Sequence, residues 1–164
     1  MPTSLTSRLQ ISATGSLQPD SPNTGSVLAQ IVADLQLTPG SGAGKADQVY
    51  RVNGSLSSSG SDTYNVLAAG ALKSPLNETI DLDEVKVIVV KCLTGKINVE
   101  AAASNGLACF TGAGEGVTLS AGQIFALGLG SGGVAVGTAG SLTVAEAGSP
   151  AAAATYELLI IGST

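Results

Sequence analysis

Histidine and tryptophan are absent from this chain of 164 residues, and only three tyrosines, two phenylalanines and two cysteines are present. Without histidine, the chain lacks the usual general base of a nucleophilic triad and the commonest partner of cysteine in zinc sites. We therefore expect a protein that is not an enzyme, and we expect no cofactor and no metal.

Positive charge is also scarce, since seven lysines and arginines stand against twelve acidic residues and the net charge is −5. Nucleic-acid binding requires clustered lysine and arginine, so nucleic acid is not an expected partner. The densest basic set is Lys86, Lys91 and Lys96. We interpret these lysines as solvated positions of a strand and its turns.

A membrane span is not expected either, although residues 116–145 carry no charge and are numerous enough to cross a bilayer. Many glycines interrupt this stretch, and no basic flank or aromatic belt accompanies it. Short strands joined by glycine turns explain it better. The first ten residues are polar and show no apolar core of a signal peptide.

The residues that are abundant indicate an all-β fold. Glycine, alanine, serine and threonine make up nearly half of the chain, and short apolar runs alternate with turn signals. The predicted strands cover residues 9–13, 27–38, 48–53, 64–67, 85–93, 97–101, 107–110, 117–119, 123–127, 134–136, 142–145 and 156–161. Many short strands at close spacing predict a single β-sandwich or jelly-roll-like domain.

Two of these segments deserve separate treatment. Residues 27–38 fit both a helical stripe and strict alternation, and we favour the strand because the segment is short. Residues 85–93 form the clearest strand, with Val85, Val87 and Val89 on one face and Ile88, Val90 and Cys92 on the other. Because both faces are apolar, this strand should lie inside the sandwich.

The beginning of the chain is predicted to be an extended N-terminal arm, residues 1–25, ahead of a sandwich domain at 26–164. Leu9, Ile11 and Ala13 alternate with polar residues, and a turn-rich segment follows them. A strand without a partner can extend the sheet of a neighbouring subunit, so these three residues are the candidate assembly contacts. A disordered tail is the alternative.

Three further features could carry chemistry. Glu78, Asp81, Asp83 and Glu84 form an acidic cluster that is either solvated turn charge or, less favoured, a Ca²⁺ site. Cys92 and Cys109 are expected to be buried free thiols, although a disulfide between them stays open. The glycine-rich run at 39–45 has the wrong spacing for a phosphate-binding loop.

The chain resembles a family of small virion proteins of tailed bacteriophages, over about residues 27–162. The motifs that carry the resemblance include Gly42-Ala43-Gly44-Lys45-Ala46-Asp47, Ser59-Gly60-Ser61-Asp62-Thr63-Tyr64, the strand at 85–90, and the closing Thr155-Tyr156-Glu157-Leu158-Leu159-Ile160-Ile161-Gly162. The family often has glycine at the position of Asn77 and an aromatic residue at that of Leu82. The resemblance implies a structural role and no catalytic residues.

The expected function is therefore that of a virion structural protein, most specifically a head decoration, cement or accessory capsid protein. Its expected partners are further copies of itself, with a trimer favoured, and the major capsid protein or other virion proteins. The alternative is a tail-associated or receptor- or carbohydrate-binding β-sandwich.

Overall fold

A computed structural model describes residues 5–17, 27–110, 115–138 and 140–164. The described residues are nearly all β, as expected from the sequence. The strands are β1 (Ser7–Leu17), β2 (Val27–Pro39), β3 (Lys45–Ala46), β4 (Gln48–Leu56), β5 (Ser61–Asn65), β6 (Glu84–Thr94), β7 (Lys96–Ala101), β8 (Gly116–Ser120), β9 (Ile124–Gly128), β10 (Val134–Ala135), β11 (Ser141–Glu146) and β12 (Ala154–Ser163). One short 3-10 turn, Ala68–Gly70, follows β5.

Two antiparallel sheets form a sandwich-like body. In the first sheet β4, β12 and β6 lie side by side, and both β9 and β10 pair with the far edge of β6. The second sheet has the order β5-β11-β7-β8. The inward side chains of both sheets form one apolar core, in which alternate residues of most strands are buried.

Tyrosines connect the two sheets at one end of the core. The hydroxyl of Tyr156 in β12 donates to Asp62 in β5 at 2.7 Å and lies 2.5 Å from the hydroxyl of Tyr64. Burial raises the pKa of Tyr64 to about 12 and raises that of Tyr156 further. Gly54 faces this ring across the sheet, and a β-carbon there would lie 2.1 Å from the Tyr156 ring.

β6 is buried on both faces, as its sequence predicts, but its alternation contains a break. The register with β12 shifts where Gly162 pairs with Val85 and Ile161 with Val87, which leaves Lys86 as an extra residue. Val85 therefore belongs to the inner core with Ile88, whereas Val87 faces outward. The prediction that Val85, Val87 and Val89 share one face is wrong for Val85.

The same irregularity buries Lys86, which contradicts its interpretation as a solvated lysine. Its side chain is fully buried, and its ammonium group contacts the carboxylate of Glu84. It also donates to the carbonyl oxygens of Ser131 at 3.1 Å and Gly132 at 2.9 Å. The hydrogen bond from Lys86 lowers the pKa of Glu84. Lys86 thus holds the loop that contains Ser131 and Gly132 against the first sheet.

Other local predictions differ from the structure in ways that packing explains. Residues 107–110 form a turn rather than a strand, although Leu107 is fully buried under the second sheet. Thr94 and Gly95 lead from β6 in the first sheet to β7 in the second. The strand predicted at 48–53 extends further, to Leu56.

The segment at 27–38 is a strand, β2, as favoured over a helix. It pairs with β1 along its whole length, from Ser7 opposite Leu37 to Leu17 opposite Val27. β1 is therefore one half of a long hairpin rather than a strand without a partner. The boundary predicted at residue 25 lies outside the described residues, and the hairpin includes strand residues on both sides of it.

Candidate assembly surface

The three predicted contact residues lie on one face of the β1–β2 hairpin. Leu9 stands opposite Leu35, Ile11 opposite Ala33, and Ala13 opposite Ile31. Directly opposed residues of an antiparallel pair point to the same side of the sheet. The apolar residues of the two strands therefore form one continuous face of the hairpin.

The basal part of this face packs against the body. Leu37 is only 1% exposed and belongs to a second buried cluster with Val87 and Ile161, which lie on the outer face of the first sheet. Leu9 and Leu35 cross over Gly128 of β9, where an added β-carbon would lie 3.2 and 3.6 Å from their methyl groups. The absence of a side chain at Gly128 lets the hairpin approach the sheet closely.

The cover becomes incomplete along the distal part of the same face, where Ile11 and Ala33 only border a cavity shared with Ala126, Leu127, Gly128 and Gly130. Ile11 is 41% exposed and Ile31 is 74% exposed. We call the four residues Ile11, Ala13, Ile31 and Ala33 the distal face. Exposed large apolar side chains that follow one another on a single face are typical of an interaction surface.

The opposite face of the hairpin is mostly polar and contains one ordered ion pair. The guanidinium of Arg8 donates to both carboxylate oxygens of Asp34, at 2.9 and 2.7 Å. This pairing lowers the pKa of Asp34 and raises that of Arg8. Both groups are solvent-exposed, so the pair specifies strand register more than it stabilises the fold.

The hairpin covers only part of the outer face of the first sheet. The uncovered part, which we call the outer patch, has an apolar floor of Val89, Leu159 and Ile124, the last being 60% exposed. Arg51 and Glu157 form an ion pair of 3.3 Å beside the floor. Lys91 lies on the other side, next to Ile124 across the β6–β9 ladder. The outer patch is a shallow apolar depression with charged margins.

The acidic residues at 78–84 do not assemble a metal site. Asp81 accepts a hydrogen bond from the backbone amide of Ala68 at 2.9 Å, and Glu84 is engaged with Lys86. Within the part of the chain that the structure describes, no group of three or more acidic, cysteine or histidine side chains could hold a metal ion.

Both cysteines are free, as the favoured alternative predicted. Cys92 is fully buried in β6, and Cys109 is partly buried in the turn after Leu107. Burial raises the pKa of Cys92 and raises that of Cys109 to about 11. Neither thiol therefore ionises readily near neutral pH.

The glycine-rich run forms the turn between β2 and β3. Gly40, Gly42 and Gly44 all have positive φ, and the amide of Gly44 donates to the carbonyl of Ser131 at 2.8 Å. The loop thus packs against the same segment that Lys86 holds.

Sequence reasoning predicted β2 as a strand but missed its pairing with β1, and it missed the outer patch. The alternation at 27–37, with Ile31, Ala33, Leu35 and Leu37 on one side, was the available signal for the second half of the apolar face. The outer patch had no such signal, because its residues come from β4, β6, β9 and β12, which are distant in sequence.

No protein-family model, curated protein or solved structure matches the chain. No helix among the described residues is long and apolar enough to cross a membrane.

Proposed function

We propose that the protein is a structural component of a bacteriophage particle, a head decoration, cement or accessory capsid protein that stabilises the shell. It acts as a homo-oligomer, with a trimer favoured, and binds the major capsid protein. Its role is mechanical, and it catalyses no reaction. The virion is its proposed location.

The observation that carries this proposal is the long hairpin with a partly uncovered apolar face. An isolated two-stranded hairpin is only marginally stable in water, and here its distal half lacks support from the body. Ile31 is exposed to solvent in a chain whose core strands are otherwise well buried. A surface of this kind gains its stability through assembly, which is the function of a particle component.

The motifs quoted above connect assembly to a phage particle. The resemblance to small virion proteins includes the loop at 42–47, which turns the chain from the hairpin into β4, and the closing strand β12, which forms the centre of the first sheet. The motifs thus lie in the segment that leads from the hairpin into the body and in strands of the body itself.

A sedimentation experiment tests the proposal. Purified protein is mixed with undecorated phage heads and, separately, with tails, and each mixture is sedimented. We expect co-sedimentation with heads at a stoichiometry set by the shell lattice. Binding only to tails would instead support the tail-associated alternative, and binding to neither would overturn the proposal.

A further inference from the structure

We propose that the distal face of one copy of this chain packs on the outer patch of a second copy. The donor is Ile11, Ala13, Ile31 and Ala33 of one hairpin, and the acceptor is the floor formed by Val89, Ile124 and Leu159 of the next body. This inference rests on the proposed assembly role and names the partner of that surface.

The same kind of apolar packing already exists within one chain. At the base of the hairpin, leucines of the apolar face pack on Val87, Val89, Leu159 and Ile161 of the first sheet. Val89 and Leu159 are shared between this covered area and the outer patch. The proposed contact thus continues an apolar packing that the same two surfaces make intramolecularly.

The charges of the two surfaces are complementary. At the margin of the outer patch Arg51 is paired with Glu157, which leaves Lys91 as an excess positive charge. The sequence from 7 to 39 contains three charged residues, Arg8, Asp20 and Asp34, which give a net charge of −1. A weakly negative arm approaching a weakly positive patch favours this partner over a second arm of the same charge.

The donor and the acceptor are different surfaces, which restricts how copies can assemble. A contact between unlike surfaces is head-to-tail, so repetition either closes into a ring or continues as a filament. A closed ring of three copies satisfies every hairpin and every outer patch, in agreement with the proposed trimer.

Disulfide cross-linking between two different variants tests the contact directly. Ile31→Cys and Ile124→Cys are purified separately, mixed and oxidised mildly. We expect a linked dimer containing one chain of each variant, in about tenfold greater yield than from a control mixture, because the contact raises the effective concentration of the two thiols. The control pairs Ile31→Cys with Leu76→Cys, whose exposed apolar residue lies outside the outer patch.

A matched pair of charge variants measures the contribution of the distal face. Ile31→Asp places a carboxylate on that face and should weaken self-association by about 100-fold, because burial of an unpaired charge is strongly unfavourable. Thr14→Asp places the same charge on the opposite face of the hairpin and should leave the mass unchanged in light scattering. Circular dichroism of both variants verifies that they remain folded.

Failure of this inference is distinguishable from failure of the proposed function, because cross-linking and mass are measured on the protein alone. A monomeric mass together with cross-linking no better than the control pair would overturn the inference, even if the protein binds heads. Specific cross-linking without binding to heads would retain the inference and overturn the virion role.

Discussion

The sandwich body and the β1–β2 hairpin are built from similar strands but differ in what lies opposite them. The inward side chains of β6 and β12 are buried along almost the full length of both strands, because the second sheet lies opposite them. The hairpin strands have the same apolar alternation but find a cover only at their base. Strand pattern alone therefore does not decide burial; the presence of an opposing surface does.

β2 contains this contrast within a single strand. Leu37 and Ile31 lie on the same face six residues apart, yet Leu37 is 1% exposed and Ile31 is 74% exposed. Since residue type and secondary structure are nearly the same, the difference reports the extent of the body beneath the hairpin. Substitutions can test whether stability follows burial in this way.

The largest effect is expected in the body. Leu158→Ala removes a fully buried side chain from the centre of the core and should lower the free energy of unfolding by about 3 to 4 kcal/mol. Urea unfolding followed by far-ultraviolet circular dichroism measures this change. A loss below about 1 kcal/mol would mean that the body is no better packed than the hairpin.

A smaller effect is expected at the base of the hairpin, and almost none at its distal part. Leu37→Ala should cost about 2 to 3 kcal/mol, whereas Ile31→Ala should change stability by less than about 0.5 kcal/mol. The unfolding of both variants is measured at a protein concentration at which the chain is monomeric, so that association does not contribute to the free energy. Equal losses of stability at Leu37 and Ile31 would contradict the conclusion that stability follows burial along β2.

Lys86 tests a polar contact of the body. Lys86→Met keeps the length of the side chain but removes its hydrogen bonds to the Ser131 and Gly132 carbonyls. We expect a loss of about 1 to 2 kcal/mol, since Glu84 is partly exposed and water can solvate it after the substitution. Faster amide hydrogen exchange at Gly44, which donates to Ser131, should accompany the loss. Unchanged exchange there would show that Lys86 does not hold the loop.

The smallest effect concerns pH. Glu146 accepts hydrogen bonds from the backbone amides of Gly148, Ala152 and Ser59, which lower its pKa below the ordinary 4.5. Its contribution to stability is therefore complete above pH 4.5 and is lost as the pH falls through the lowered pKa.

Glu146→Gln should be less stable than the wild type at pH 6, and this difference should shrink as the pH is lowered below 4.5. Thermal unfolding of both proteins across this pH range measures the difference. A gap that is the same at pH 6 and pH 3 would contradict the assignment. Asp34→Asn in the exposed hairpin pair is the matched control and should show a weaker pH dependence, because solvent screens that pair.

Much of the fold was predictable because its cause is local. Alternation and turn residues identified β2, β4 and β6 close to their observed positions, since a half-buried strand requires that pattern wherever it lies. The errors occurred where a distant segment decided the outcome. Lys86 is buried because the β6–β12 register shifts, and residues 107–110 pack as a turn beneath the second sheet.

The candidate surface was half predictable for the same reason. Leu9, Ile11 and Ala13 stood out as alternating residues, and the structure places them on one face. Their pairing with β2 and the outer patch involve residues that are far apart in sequence, and no local pattern encodes which strands become neighbours. Reasoning from spacing therefore identified both strands of the hairpin but not their pairing.

The sequence by itself determined the all-β class, the positions of most strands and the apolar alternation of the hairpin, because these follow from side-chain period and turn chemistry. Only the tertiary structure decided that the Tyr156 ring packs against Gly54, where no side chain fits, and that Lys86 is buried. It also decided that the hairpin extends beyond the surface of the body that covers its base. The physical reason is that burial depends on which surface lies opposite a residue, and the folded arrangement of distant strands supplies that surface.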